Sequence, residues 1–304
     1  MKRVAIALGW IVLFFVVAFS VDFGLTKALG LHARGDTVDV IPIGVFEVAG
    51  FLFATWLFGR LINKHSWAEL GWRRPALLPF GRGVLLGAVM ASSAILLAVV
   101  GGARVHFKGD WSAWAGIALP LILGLIFAAL GEELGFRGYP MRHLADAIGV
   151  LPAILVLALP FAIAHAWNPS ATVFSTINVG LAAIWLSVAF FSQGGMPLAW
   201  GAHFGWNAAL SVLYDAPVSG FAFHVPVVEY TPGLHRWIDG GAFGPEGGIV
   251  ATIALSAGTF YLLTRRSAFE PAESPPSPEE PAPSAARGRG GQGVRTNGHG
   301  VRTA

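Results

Sequence analysis

The chain has 304 residues, of which 55% are hydrophobic and only 12% are charged. Because soluble domains carry about 25% charged residues, this composition indicates a protein that lies in a lipid bilayer. The chain has no cysteine, which excludes disulfides, a thiol nucleophile and cysteine-ligated metal sites. The formal net charge of +3 is small and the basic residues form no single patch, so nucleic acid is not expected as a partner.

Apolar runs long enough to cross a bilayer recur along the chain, since a hydrocarbon core about 30 Å thick requires roughly 20 apolar residues of helix. The runs lie at 4–21, 40–62, 83–101, 113–131, 150–166, 175–192, 196–213 and 248–264. They are continuous rather than alternating, so they predict an all-α, polytopic transmembrane helix bundle of about eight spans. The first run is longer than a usual signal-peptide core and lacks a small-x-small cleavage site, which favours a first span.

Basic residues in the short loops predict the orientation of the bundle. They cluster at 2–3, 60–82, 137–142 and 265–266. With eight spans these clusters fall on one side, and the positive-inside rule then places both termini in the cytoplasm. The high alanine, glycine, arginine and proline content suggests a bacterial plasma membrane.

Two segments lie outside the predicted bundle. Residues 214–247 are rich in glycine, proline and aromatic residues, and are expected to form either a lid or an interfacial loop. Residues 267–304 are Pro/Glu-rich and then Gly/Arg-rich, with almost nothing apolar to bury. This tail is predicted to be disordered.

Ionisable residues inside a span are rare because each costs roughly 2.5–3.5 kcal/mol on insertion scales. Three polar groups nevertheless follow one another between 113 and 213, and their members are Glu132, Glu133, Arg137, His165, His203 and Asn207. Each group alone has an ordinary explanation, either a helix end at the membrane surface or polar contacts between helices. Together they indicate an active site, since all three carry side chains that hydrolases use.

Helical geometry assigns different roles to the neighbouring glutamates. Glu133 and Arg137 are four residues apart, so Arg137 is expected to neutralise Glu133. Glu132 points about 100° away from Glu133 and is left to face a cavity. There it could act as a general base or acid on a water molecule shared with a neutral His165.

His203 and Asn207 are also four residues apart and share one helix face. Both can donate hydrogen bonds, and two donors on one face suit an oxyanion hole. Other membrane peptidase chemistries do not fit the sequence. It has no His-Glu-x-x-His zinc motif, no Gly-x-Ser-x-Gly and no pair of aspartates within its spans.

At these residues the sequence resembles the CAAX protease and bacteriocin-processing family, called CPBP, which includes the type II CAAX prenyl endopeptidases. The motifs that carry the resemblance are Glu132-Glu133-x-x-x-Arg137, Phe161-x-x-x-His165 and His203-x-x-x-Asn207. The resemblance covers about 113–213. Together with the apolar runs, it predicts N-terminal transmembrane helices (1–112), a CPBP-like catalytic membrane core (113–213), an extracytoplasmic loop with the last span (214–266) and a disordered tail (267–304), of which the resemblance supports only the core.

The resemblance implies a glutamate-dependent intramembrane endopeptidase with a cavity open to the cytoplasm. Glu132 and His165 would activate water, and His203 with Asn207 would hold the oxyanion. The expected partners are membrane lipid and a peptide or membrane-protein substrate. Two separated histidines and a glutamate do not establish a metal, so neither a metal nor another cofactor is predicted.

The length of the fourth helix decides whether this site can assemble. If the helix ended at Gly131, Glu132 and His165 would lie at opposite edges of the membrane. We therefore predict that the helix continues through about Arg142, with a kink at Pro140.

Two other functions remain open at this point. One is a catalytically silent member of the same fold that acts as a membrane scaffold or regulator. The other is a proton-coupled transporter that uses Glu47, Glu132 and the histidines, with Asn178 beside the path. Each of Glu47 and Asn178 is more simply explained as an interface residue or an interhelical hydrogen-bonding residue, and no transporter-like internal repeat is visible.

Overall fold

The computed structural model describes residues 2–29 and 40–265. Its helices are α1 (Lys2–Ala28), α2 (Val40–Ala54), α3 (Leu77–Val100), α4 (Trp114–Phe136), α5 (Tyr139–Ile148), α6 (Val150–Ala164), α7 (Val173–Phe191), α8 (Gly195–Ala208), α9 (Arg236–Asp239) and α10 (Ile249–Thr264). Two of them continue as π-helical segments, α2 over Thr55–Ile62 and α8 over Ala209–Leu213. The tail predicted to be disordered, 267–304, lies outside the described residues.

The prediction of an all-α membrane bundle is confirmed, and the chain is an integral multi-pass membrane protein. Within the described part of the chain, five helical segments are long and apolar enough to cross a bilayer. They are Lys2–Ala28, Ile41–Ile62, Leu77–Val100, Trp114–Ile148 and Val173–Phe191. The other three predicted runs are also helical but shorter or less apolar, so the count of eight spans stays a prediction.

Helix α8 is less apolar than the other helices in the predicted spans, and protein surrounds it. Eleven of its fourteen residues are buried, including His203, Trp206 and Asn207. A helix enclosed in this way does not need a lipid-compatible surface on every side. Helix α3 supplies part of that enclosure by packing along α8, and α4 and α7 contact α8 as well.

The predicted continuous fourth helix is wrong. Helix α4 ends at Phe136, and the carbonyl oxygen of Glu133 accepts hydrogen bonds from the backbone nitrogens of both Arg137 and Gly138. Pro140 lacks the N–H that would bond to the Phe136 carbonyl, and a proline in the first turn of a helix favours a new start. Helix α5 therefore begins at Tyr139 as a separate helix.

A two-stranded antiparallel sheet joins the loop after α3 to the loop after α8. Strand β1 (Arg104–Phe107) pairs with β2 (Val228–Thr231), and Lys108 adds an ion pair with Glu229 at 3.2 Å. The sheet places these two loops on the same side of the bundle, as the predicted order of spans requires.

Helices α3 and α8 approach each other through glycine. A methyl group on Gly83 or Gly87 would overlap the carbonyl oxygen of Leu198 or Ala202, respectively. Gly201 and Gly205 on α8 meet backbone carbonyl oxygens of α3 in the same way. The two backbones are therefore in direct contact, an arrangement typical of closely packed membrane helices.

Gly87→Ala is expected to separate these helices and to destabilise the protein by about 1–3 kcal/mol or more, as overpacking does. The matched control is Gly81→Ala on the same helix, where an added methyl group meets no atom within 4 Å. Thermal unfolding in detergent measures both variants. Equal melting temperatures for the two would contradict the close contact.

Candidate active site

The three polar motifs meet around one cavity of about 410 Å³. Helix α4 contributes Glu132, the end of α6 contributes His165, and α8 contributes His203 and Asn207 to its lining. The remaining wall is largely apolar and includes Phe161 from α6. The four residues predicted to be catalytic are thus brought together in space.

The carboxylate of Glu132 lies between two imidazole rings. Its Oε2 is 3.8 Å from Nε2 of His165 and 3.9 Å from Nε2 of His203. These separations are too long for direct hydrogen bonds, but one water or substrate oxygen can bridge them. Oε2 is buried and has no hydrogen-bond partner among the residues described.

Glu133 points away from the cavity into a buried polar cluster. Its Oε1 accepts a hydrogen bond from Arg137 at 3.1 Å and lies 2.9 Å from Nδ1 of His203. Arg137 also donates to the carbonyl oxygen of Ala183 at 3.1 Å, and its guanidinium lies 4.4 Å from the centroid of the Phe161 ring. The predicted pairing of Glu133 with Arg137 is confirmed, and both side chains are almost fully buried.

The neighbours of each histidine assign its tautomer. Nδ1 of His203 faces the Glu133 carboxylate, and Nδ1 of His165 lies 2.9 Å from the carbonyl oxygen of Phe161. Both neighbours can only accept, so both Nδ1 atoms carry a proton. In a neutral ring, Nε2 then has a free lone pair facing Glu132.

This tautomer changes what His203 can do. As a neutral ring it accepts a proton at Nε2, and it donates from Nε2 only after it has been protonated. The role of a neutral hydrogen-bond donor, expected of both His203 and Asn207, is therefore open only to Asn207 in this arrangement.

Asn207 lies one turn after His203 and also lines the cavity. Its backbone carbonyl accepts a hydrogen bond from the Ser211 hydroxyl at 2.7 Å. The side-chain amide is buried and forms no hydrogen bond with any residue of 2–29 or 40–265, which leaves its N–H groups free to donate into the cavity.

The segment 214–247 forms part of the cavity wall. The carboxylate of Glu246 accepts hydrogen bonds from the Trp206 indole at 2.9 Å, from the Ser219 hydroxyl at 3.0 Å and from the Ser219 backbone nitrogen. Asn168, which follows α6, donates to the Ser219 carbonyl oxygen at 3.0 Å. The sequence did not point to Glu246, because a lone glutamate in a glycine-rich loop matches no motif.

Asn178 on α7 is confirmed as an interhelical hydrogen-bonding residue. Its amide nitrogen donates to the carbonyl oxygens of Glu246 and Gly248 at 2.9 and 2.8 Å. Its amide oxygen accepts from the Thr252 hydroxyl at 2.7 Å. The side chain is thereby committed to holding α7 against the start of α10.

Within the described ranges, no three histidine, cysteine, aspartate or glutamate side chains are arranged to bind a metal ion together. The absence of a metal requirement stays a prediction.

A family model described as type II CAAX prenyl endopeptidase Rce1-like matches residues 112–209. The match covers about a third of the chain and contains helices α4 to α8, which carry all three motifs. The resemblance inferred from those motifs is confirmed. Comparisons with curated proteins and with solved structures gave no match.

Proposed function

We propose that the chain is an intramembrane endopeptidase. The premise is that residues 112–209 form a Rce1-like domain of the type II CAAX prenyl endopeptidase family. It hydrolyses peptide bonds of membrane-associated substrates with water activated by glutamate and histidine. The observation that supports this most directly is the buried Oε2 of Glu132, which lies between two imidazole nitrogens and has no hydrogen-bond partner in the described chain.

The geometry suits activation of one water molecule. The Glu132 carboxylate and the free Nε2 of His165 can each accept one of the two water hydrogens. The oxygen lone pairs are then left to attack a carbonyl carbon of the substrate. As the O–C bond forms, Glu132 takes the proton, and this general-base step contributes about 10²–10⁴-fold in rate.

His203 has the surroundings of a proton-transfer group. Its Nδ1–H is held by the buried carboxylate of Glu133 while its Nε2 faces Glu132. A carboxylate in this position orients the ring and stabilises the imidazolium. The proton that Glu132 took from water can pass to Nε2 of His203, and the imidazolium then donates a hydrogen bond to the oxyanion beside Asn207. As the C–N bond breaks, Nε2 of His203 transfers this proton to the leaving amine.

The test is proteolysis of a peptide library by the purified protein in detergent or nanodiscs, with new termini identified by mass spectrometry. The wild-type protein should generate cleavage products that Glu132→Ala does not. Size-exclusion profiles should show that both proteins are folded. Folded wild-type protein that cleaves nothing would favour the catalytically silent scaffold.

Reporter fusions after residues 75 and 270 test the proposed orientation. Both are expected to report the cytoplasm, because the basic loops would then lie on the cytoplasmic side. A fusion after residue 109 should report the opposite side. This residue follows β1, which pairs with β2 of the segment 214–247. Different locations for the fusions at 75 and 270 would show that the spans are miscounted.

A further inference from the structure

Glu47 on α2 is a second carboxylate of the cavity, and the proposed mechanism does not use it. Its side chain lines the cavity together with Glu132. It reaches this position beside Gly131, where an added Cβ would lie 2.9 Å from the Glu47 carboxyl carbon and 3.1 Å from its Oε2. Gly131 immediately precedes Glu132, so Glu47 packs against the same turn of α4 that carries Glu132 and lines the same cavity.

Nothing in the described part of the protein neutralises Glu47. Its carboxylate forms no hydrogen bond or ion pair with residues 2–29 or 40–265. The charged groups near enough to act on it are Glu132 and Asp22, which are both acidic. Arg137 is committed to Glu133, and no lysine or arginine lines the cavity.

The third carboxylate that lines the cavity, Glu246, differs from Glu47 because it accepts hydrogen bonds from the protein. Glu246 has its oxygens occupied by Trp206 and Ser219, so it serves as a structural anchor. Glu47 also carries a carboxyl group that lines the cavity, but it lacks such donors. A carboxylate in low-dielectric surroundings is stabilised when an opposite charge is brought to it.

We propose that Glu47 is a specificity-determining residue that binds a cationic side chain of the substrate, lysine or arginine, close to the scissile bond. This inference rests on the proposed peptidase function and names the class of substrate for it. An acidic residue at the same substrate position is disfavoured, because it would face Glu47 and Glu132 without a counter-charge.

The test needs no variant in its first step. Peptides are prepared with lysine, Nε-acetyllysine or glutamate at each position within three residues of a mapped cleavage site. At one position the lysine peptide should have a kcat/KM about 10- to 100-fold above its acetyllysine counterpart, the range for a hydrogen bond to a charged group. Equal values at every position would overturn the proposal.

The second step assigns the preference to Glu47. Glu47→Gln keeps the shape and removes the charge, so the ratio of kcat/KM for lysine over acetyllysine should fall to about 1. The matched control is Glu229→Gln, a surface glutamate paired with Lys108, which should keep the wild-type ratio. If Glu47→Gln slows all peptides equally, Glu47 acts in the chemistry common to all substrates and the proposal fails.

A binding experiment separates this inference from the proposed function. Affinities of the lysine and acetyllysine peptides are measured for Glu132→Ala and for Glu132→Ala/Glu47→Gln in nanodiscs. If the wild-type protein hydrolyses no peptide, lysine-selective binding that requires Glu47 still supports a cationic subsite while the peptidase proposal fails. Loss of that selectivity in both proteins would overturn the subsite.

Discussion

Glu133→Ala is expected to destabilise the folded protein by about 3–5 kcal/mol, the usual effect of removing one partner of a buried ion pair. The alanine would leave the Arg137 guanidinium buried without its carboxylate and would release Nδ1 of His203. Both groups share the Oε1 atom of Glu133 in the structure. Thermal or chemical unfolding in detergent measures the loss.

Glu132→Ala is the matched control, since it removes the adjacent carboxylate from the same helix. The buried Oε2 of Glu132 has no hydrogen bond to lose within the described chain, so this variant should keep near wild-type stability. It should nevertheless lose turnover, as proposed above. If the two variants match each other in both stability and activity, the division of roles between the glutamates is wrong.

Asn207→Ala should lower kcat by about 10²–10³-fold with little change in KM, the typical effect of removing an oxyanion donor. A donor aimed at the developing negative charge binds the transition state more strongly than the ground state. Asn207→Asp should be at least as damaging, because a carboxylate keeps the shape but repels the oxyanion. Steady-state kinetics with a cleavable peptide measures both.

Asn178→Ala provides the contrast for Asn207. Asn178 forms three hydrogen bonds between α7 and the start of α10, so its loss should lower stability more than it lowers kcat. Polar contacts between membrane helices contribute about 0.6 kcal/mol on average, so a purely structural Asn207 would leave kcat nearly unchanged. Near wild-type kcat in both Asn207 variants would exclude the oxyanion role.

The helices and the motif residues were predictable because their signals are local. Long apolar runs predict membrane helices from thickness and rise per residue alone. The spacing of four residues also predicted the pair of Glu133 with Arg137 and the shared face of His203 with Asn207, since both depend on one helix. These four residues could thus be paired before any fold was known.

Features that depend on contacts between distant segments could not be predicted. The tautomer of His203 follows from Glu133, which is 70 residues away, and the anchor at Glu246 depends on Ser219 and Trp206. The end of α4 was misjudged for a different reason. The longer helix was predicted so that Glu132 and His165 could lie at one depth, and whether Pro140 kinks a helix or begins a new one depends on tertiary packing.

The glycine contact between α3 and α8 also bears on whether the candidate site stays intact in detergent as well as in a membrane. Lipid tails are as apolar as the side chains of a membrane helix, so exclusion of water does not hold two such helices together in a bilayer. Here the contact depends on backbone meeting backbone at Gly87 and Gly205. That attraction is the same in a micelle as in a membrane. The helix that carries His203 and Asn207 is therefore expected to keep its place when the protein is extracted from the bilayer.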